Sequence, residues 1–242
     1  MANSTTPYKC ILLKLSGESL VNENTQIGVE FEACQKIANS IKLAHKQNVK
    51  IGIVIGGGNF VRGHTYCKEL NMPQAKADQV GMLATLMNGI TLQRALLNNE
   101  CPTKLMSAFP CGAIAELFNL DLALKYLDEN QIVIFAGGTG NPFFTTDTAA
   151  SLRACEIGAD ALLKATKVDG VFDKDPKTNS DAKQYEQLSY NDVLEKNLKV
   201  MDATAISLCR EHQIPIVVFN MYHENNIKDV IQRKPCGTRI EG

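Results

Sequence analysis

The sequence predicts an α/β chain: a mainly parallel sheet with helices on both faces, three layers in all. Two observations predict it. Short apolar runs of strand length alternate with longer segments of helical periodicity, the order that crossover helices between parallel strands produce. Three of those runs end in glycine-bearing turns, and in an open parallel sheet the carboxyl ends of the strands are where ligands bind. With 242 residues, 45% of them hydrophobic, the chain can bury one large core or two closely fused lobes.

The first run, Lys9 to Leu15, is apolar between its lysines and ends in Ser16-Gly17, which predicts a buried strand delivering a turn. Residues 30 to 47 carry Phe31, Cys34, Ile37, Ala38, Ile41 and Ala44 at spacings of three and four, one face of a helix. A second buried strand, Ile51 to Ile55, runs straight into Gly56-Gly57-Gly58-Asn59. The pattern repeats with a helix over 75–97, a strand over 103–108, a helix over 119–128 and a strand over 132–136. That last strand meets Gly137-Gly138-Thr139-Gly140-Asn141-Pro142, and a helix opens at Thr145-Thr146-Asp147. Ala161 to Lys164 and Ile216 to Phe219 supply later strands, and the polar stretch 169–189 reads as an exposed loop. No linker, long repeat or low-complexity segment interrupts the order.

Composition narrows the function classes. Twenty-five Lys and Arg against twenty-six Asp and Glu leave a formal charge of −1, so no global field draws the chain to nucleic acid or to an anionic membrane. Any phosphate binding must be local. The eight cysteines are scattered, with no Cys-x-x-Cys pair, and read as reduced thiols rather than metal ligands. Met1 to Lys9 has no apolar stretch of signal-peptide length, and no run of about 18 apolar residues occurs, so cytosol is the expected compartment.

The usual phosphate motifs are missing: there is no Gly-x-x-x-x-Gly-Lys-Ser/Thr, and Val61 stands where Gly-x-Gly-x-x-Gly needs its last glycine. What remains is a site built from several turns and fixed cations. Glycines at strand ends either close tight turns or let successive N–H groups converge on phosphate oxygens. Lys14 ends an apolar strand, where its ammonium needs a partner or an opening to water; a bridge between transferred phosphate oxygens and a packed stem with a solvated head both fit. Lys164 ends another strand, so two ammonium groups can converge on one edge. Arg62 is a candidate fork for a phosphate. Asp147 stabilises a helix start or serves a ligand, and the loop before it offers donors and the rings of Phe143 and Phe144.

Taken together these segments resemble the UMP kinase branch of the amino-acid-kinase family, from about Tyr8 to Ile240. The likeness rests on Leu13-Lys14-Leu15-Ser16-Gly17-Glu18, Val54-Ile55-Gly56-Gly57-Gly58-Asn59 with Arg62-Gly63, and Gly81-Met82-Leu83-Ala84-Thr85 with Met87-Asn88. It continues in Leu163 to Phe172 with Asp175-Pro176, in Lys199-Val200-Met201-Asp202 and in Val218-Phe219-Asn220. The run Thr139-Gly140-Asn141-Pro142-Phe143-Phe144-Thr145-Thr146-Asp147 is the part most specific to UMP kinases.

The resemblance implies the amino-acid-kinase fold as one domain over 1–242, with an acceptor-binding lobe over 8–160 fused to an ATP-binding lobe over 161–242. It implies transfer of the γ-phosphoryl group of ATP to UMP in pyrimidine nucleotide biosynthesis. Lys14, Leu15, Ser16, Gly17, Gly58, Arg62, Thr166, Phe172 and Asp175 are then expected around ATP. Gly57, Asp78 and the loop Thr139, Gly140, Asn141, Pro142, Phe143, Phe144, Thr145 and Thr146 are expected around UMP. Lys14, Arg62, Asp147, Lys164 and Asp202 are the expected catalytic set, with Mg²⁺ carried mainly by ATP and no dedicated metal site. A homohexamer, inhibition by UTP and a GTP effector are also implied. Thr91, Leu92, Ala95 and Leu96 on the long helix are subunit-contact candidates, although an apolar stripe at helical spacing is more often plain core. Two places depart from the relatives' pattern: Asn22 to Gly28, where many bacterial relatives carry a glycine-rich stretch associated with GTP activation, and Ala77, where relatives often have glycine.

The chemistry suits this inventory. The acceptor is a phosphate oxygen, largely ionised at pH 7 because a monoester's second pKa is about 6, so no general base is required. Positioning and charge neutralisation suffice. A kinase acting on a carboxylate or carbamate would keep the fold but predict a different 139–147 loop. A regulator that binds nucleotide without turnover would not need Lys14 and Lys164.

Overall fold

The first strand, β1 (Cys10–Leu15), is buried at every position, which puts it inside the sheet rather than at an edge. It pairs in parallel with β2 (Lys50–Ile55) on one side and β6 (Ala161–Thr166) on the other. The computed structural model describes residues 6–21, 27–60, 67–176, 178–223 and 225–242. Arg62 and most of the 22–28 segment therefore lie outside the described residues.

Around this centre the remaining strands are β3 (Thr103–Ser107), β4 (Glu116–Leu117), β5 (Ile132–Ala136), β7 (Gln187–Leu188), β8 (Ile216–Asn220) and β9 (Thr238–Ile240). Among the described residues they form one sheet in the order β4-β3-β5-β2-β1-β6-β8-β9-β7. Every pairing is parallel except β8 with β9. The helices are α1 (Phe31–His45), α2 (Gln74–Asn98), α3 (Leu120–Asp128), α4 (Thr146–Glu156), α5 (Tyr190–Glu195), α6 (Ala203–Glu211) and α7 (Asn226–Ile231).

Alternation along each strand feeds two cores. Ile11, Leu13 and Leu15 of β1 pack with Ile37 and Ile41 of α1, Leu92 and Leu96 of α2 and Ile227 of α7. Leu12 points the other way, into a cluster with Leu127 of α3, Ala149, Ala150 and Ala154 of α4 and Ile206 of α6. Each fully buried Leu or Ile contributes roughly 1.5–3 kcal/mol relative to exposure. The period of two also sets the chemistry, because Lys14 falls on the same face as Leu12 and so turns toward α4. In β6, Leu162 faces α4 and Leu163 faces away, so Lys164 joins Lys14 on that face, and the two are register partners across β1 and β6.

One expectation needs correction. The 169–189 stretch is not simply an exposed loop: Val171 and Leu188 are buried, Phe172 bridges Gln184 in an antiparallel pair, and Gln187–Leu188 joins the sheet beside β9. Of the two readings of the 91–96 stripe, core packing holds for Leu92 and Leu96, which are fully buried. On α2 the solvent-exposed apolar residues are instead Leu83, Met87, Ile90 and Leu97.

Candidate active site

Lys14 and Lys164 meet on one carboxylate. Lys14 Nζ lies 2.7 Å from Asp147 Oδ1 and Lys164 Nζ lies 2.9 Å from Asp147 Oδ2, with all three side chains no more than 17% exposed. Thr145 is the N-cap of α4, its hydroxyl accepting from the N–H groups of Asp147 and Thr148, so the helix start holds the carboxylate in place. Burial alone pushes the Asp147 carboxyl up, but the two ammonium groups outweigh it and hold the group below the usual carboxylate range. For Lys164, burial and then repulsion from Lys14 pull the pKa below its ordinary value of 10.5, against the attraction of Asp147. Lys164 also donates to the carbonyl oxygen of Val200.

Two clefts lie near this cluster, one walled in part by Lys164 and the other by the residues just before Asp147. The smaller, about 230 Å³, is lined by Gly57, Gly58, Asp78, Met82, Thr139, Asn141, Phe144, Thr145 and Thr146, among others. The larger, about 550 Å³, is lined by Lys164 itself with Thr166, Val171, Phe172, Asp175, Lys199 and Val200, among others. Asp147 follows directly on the residues of the first and is ion-paired to the lysine of the second.

The glycine turns permit close approach. A Cβ on Gly17 would stand 2.4 Å from Asn59 Oδ1 and 2.6 Å from the Gly56 oxygen, and one on Gly57 would stand 2.7 Å from the Gly81 oxygen. Asn59 and Asn88 exchange hydrogen bonds at 2.9 and 2.7 Å, and Asn88 also donates to the Gly56 carbonyl, so α2 anchors the triple-glycine turn. Thr85 does the same for the loop after β5, its hydroxyl accepting the Gly137 N–H at 2.7 Å. In that loop Gly137, Gly138 and Gly140 all have positive φ, and Phe143 shares that backbone region at φ 69°. Asp78 accepts the Phe143 N–H at 2.8 Å and the Gln74 amide at 2.7 Å, which ties α2 to the loop.

The anticipated residues are thus placed unevenly. Gly57, Asp78, Thr139, Asn141, Phe144, Thr145 and Thr146 share the smaller cleft; Gly140, Pro142 and Phe143 shape its loop without lining it, and Phe143 is 73% exposed. Gly58, expected beside ATP, lines that same smaller cleft. Thr166, Phe172 and Asp175 share the larger one. Ser16 caps the turn at Gly17, and the Leu15 side chain is fully buried in the core. Asp202 is the N-cap of α6, accepting from the Ala205 N–H and from the hydroxyls of Thr145 and Thr148. Sequence reasoning missed Thr148, Thr85 and the Val200 carbonyl; only Thr148 left a trace, lying one helical turn beyond Thr145.

Residues 9–220 match the model of the amino acid kinase family. The uridylate kinase of Protochlamydia amoebophila is 52% identical over 240 residues, covering 98% of this chain and 94% of that protein. That of Psychrobacter arcticus is 48% identical and covers 99% of each. Among solved structures, UMP kinase from Bacillus anthracis superposes with a TM-score of 0.94 at 38% identity, covering 98% of this chain and 97% of that one. UMP kinase from Ureaplasma parvum gives 0.89 at 37%, over 98% and 100%.

Proposed function

The chain belongs to the amino acid kinase family, in its uridylate kinase branch, and from that premise we propose that it transfers the γ-phosphoryl group of ATP to UMP, giving ADP and UDP. One observation carries the reading: two largely buried lysines, one of them on the wall of the larger cleft, converge on a single aspartate that directly follows the residues lining the smaller. UMP occupies the smaller cleft, held by Gly57, Asp78 and the 139–146 loop, and ATP the larger, held by Thr166, Phe172 and Asp175 with Ser16, Gly17, Gly58 and Arg62 at the phosphates. All lining of the smaller cleft lies between residues 57 and 146 and all lining of the larger between 164 and 218, which supports an acceptor lobe over 8–160 and an ATP lobe over 161–242.

Asp147 binds no substrate in this scheme. It orients the ammonium groups, which together leave one net positive charge for the phosphoryl group as it moves. The attacking oxygen of UMP is already ionised, so the chain supplies position and charge and no base. Asp147 is ion-paired to two lysines, and among the described residues no cluster of three or more His, Cys, Asp or Glu is arranged to hold a metal. Such a donor set fits Mg²⁺ held by nucleotide phosphates and water, where it neutralises phosphate charge.

The protein acts in pyrimidine nucleotide biosynthesis as a homohexamer inhibited by UTP, by the family resemblance, and the cytoplasm is the compartment proposed for it; where relatives carry the stretch associated with GTP activation, Asn22 to Gly28 departs from it. The exposed apolar stripe of Leu83, Met87, Ile90 and Leu97 on α2 supports self-association. Among the described residues no helix is long and apolar enough to cross a membrane. A coupled ADP-release assay offering UMP, CMP, AMP, acetylglutamate and carbamate tests the function: UMP alone should be turned over, and preference for a carboxylate or carbamate would overturn it.

A further inference from the structure

Asp202 carries more hydrogen bonds than capping one helix requires. Its Oδ1 accepts the Ala205 N–H at 2.9 Å, as the N-cap of α6 should. Its Oδ2 accepts the Thr145 hydroxyl. Thr148 Oγ1 lies 3.0 Å from each of the two oxygens, sharing its single proton between them. A carboxylate offers roughly four lone-pair sites, and three donors share them here.

Thr148 is the member of this group with no duty at a substrate. It is 6% exposed and lies on the wall of neither cleft. Its hydroxyl joins the first turn of α4 to the start of α6, and both neighbours of that joint carry the chemistry. One residue before Thr148 is Asp147, which holds Lys14 and Lys164. Two residues before Asp202 is Val200, whose carbonyl holds Lys164 from the other side and which lines the larger cleft. Thr145, the third partner of the carboxylate, lines the smaller cleft.

We propose that Thr148 is a positioning residue for phosphoryl transfer: through Asp202 its hydroxyl fixes the α4 start against the 200–202 segment and so sets the separation of the two ammonium groups. The proposal rests on the UMP kinase reading above and assigns Asp202 to the same clamp rather than to contact with the reacting atoms. Removing the hydroxyl leaves a half-buried carboxylate short of a donor, which loosens the joint without emptying either cleft.

The test compares kcat and both KM values of the full chain with those of Thr148→Val, which keeps the shape and drops the hydroxyl, and Thr148→Ser, which keeps the hydroxyl. Far-UV circular dichroism and the stoichiometry of UMP binding count the folded sites. Thr148→Val should lose roughly ten- to a hundredfold in kcat per folded site, the scale of one hydrogen bond to a charged group. Both KM values should stay within about threefold, and Thr148→Ser should stay within about threefold of the parent in kcat. If Thr148→Val does not fold, Thr148→Ala takes its place. In an Asp202→Asn background the same substitution should add less than about threefold, because the partner is already altered. An unimpaired Thr148→Val, a Thr148→Ser as slow as Thr148→Val, or full additivity with Asp202→Asn overturns the assignment. A parent chain without UMP turnover overturns the function and the inference with it, whereas a parent active on UMP beside an unimpaired Thr148→Val overturns the inference alone.

Discussion

Lys14→Met separates the catalytic from the structural share of the charge cluster. The methionine keeps most of the stem that packs in the strand, where the lysine side chain is 10% exposed, and removes the charge 2.7 Å from Asp147. Asp147 keeps its contact with Lys164 at 2.9 Å, so no buried charge is stranded. The stability loss should therefore be about 1.5–3 kcal/mol, the scale of one hydrogen bond involving a charged group, rather than the roughly 3–5 kcal/mol of a broken buried pair. At roughly 2–4 °C per kcal/mol for a chain of this size, Tm should fall by about 3–12 °C. The rate should suffer far more, because an ammonium fixed where transition-state charge develops is worth roughly 10²–10³ in kcat. With repulsion from Lys14 gone, the Lys164 pKa should rise, and any alkaline fall of the residual activity should move to higher pH. The assay is ADP release against varied UMP from pH 6 to about 10.5, the upper end set by the ordinary lysine value. A kcat within about threefold of the parent, or a loss carried wholly by the UMP KM, refutes the role given to Lys14.

Three further outcomes follow from the same geometry. Asp78→Ala removes the acceptor of the Phe143 N–H and should raise the UMP KM by about tenfold or more with a smaller effect on kcat; calorimetry showing parental UMP affinity would count against placing UMP there. Gly57→Ala sets a Cβ 2.7 Å from the Gly81 oxygen and 2.8 Å from Ala84 Cβ, and the strain of pushing α2 away should cost about 1–3 kcal/mol in urea melts; a parental midpoint would contradict the close approach of turn and helix. The Asp147 carboxyl sits below its ordinary 3.8, so its contribution to stability is complete above about that pH and is lost as pH falls through the lowered folded value. Asp147→Asn should thus be less stable near neutrality and flatter in acid, and parallel acid limbs for variant and parent would contradict the pairing.

The sheet's centre was legible because β1, β2, β5, β6 and β8 are apolar runs of five or six residues punctuated by turns, and α1 and α2 are long enough to show their period. What escaped notice was short. The pairs 116–117 and 187–188, the antiparallel β9 and the six-residue helices α5 and α7 carry too few residues for any period to register. Lys14 and Lys164 stood out because a charge at the end of an apolar strand demands a partner, and Asp147 because it opens a helix beside a glycine-rich loop. Their convergence on one carboxylate depends on strand register, which no local pattern encodes. The Val200 carbonyl was invisible because every residue has one. The clamp at Asp202 was hidden for another reason: its partners Thr145 and Thr148 lie 57 and 54 residues away. Leu92 and Leu96 admit both a core and a contact reading from sequence because α2 is apolar on more than one face, with buried and exposed stripes both present.

The most direct measurement is a crystal structure of the chain with UMP and a non-hydrolysable ATP analogue. UMP should lie between Asp78 and the 139–146 loop and the triphosphate beside Thr166 and Phe172, with the amines of Lys14 and Lys164 both on the phosphoryl group due to move. Either nucleotide bound outside its cleft, or a Lys14 amine turned away from the triphosphate, would contradict the account at its root.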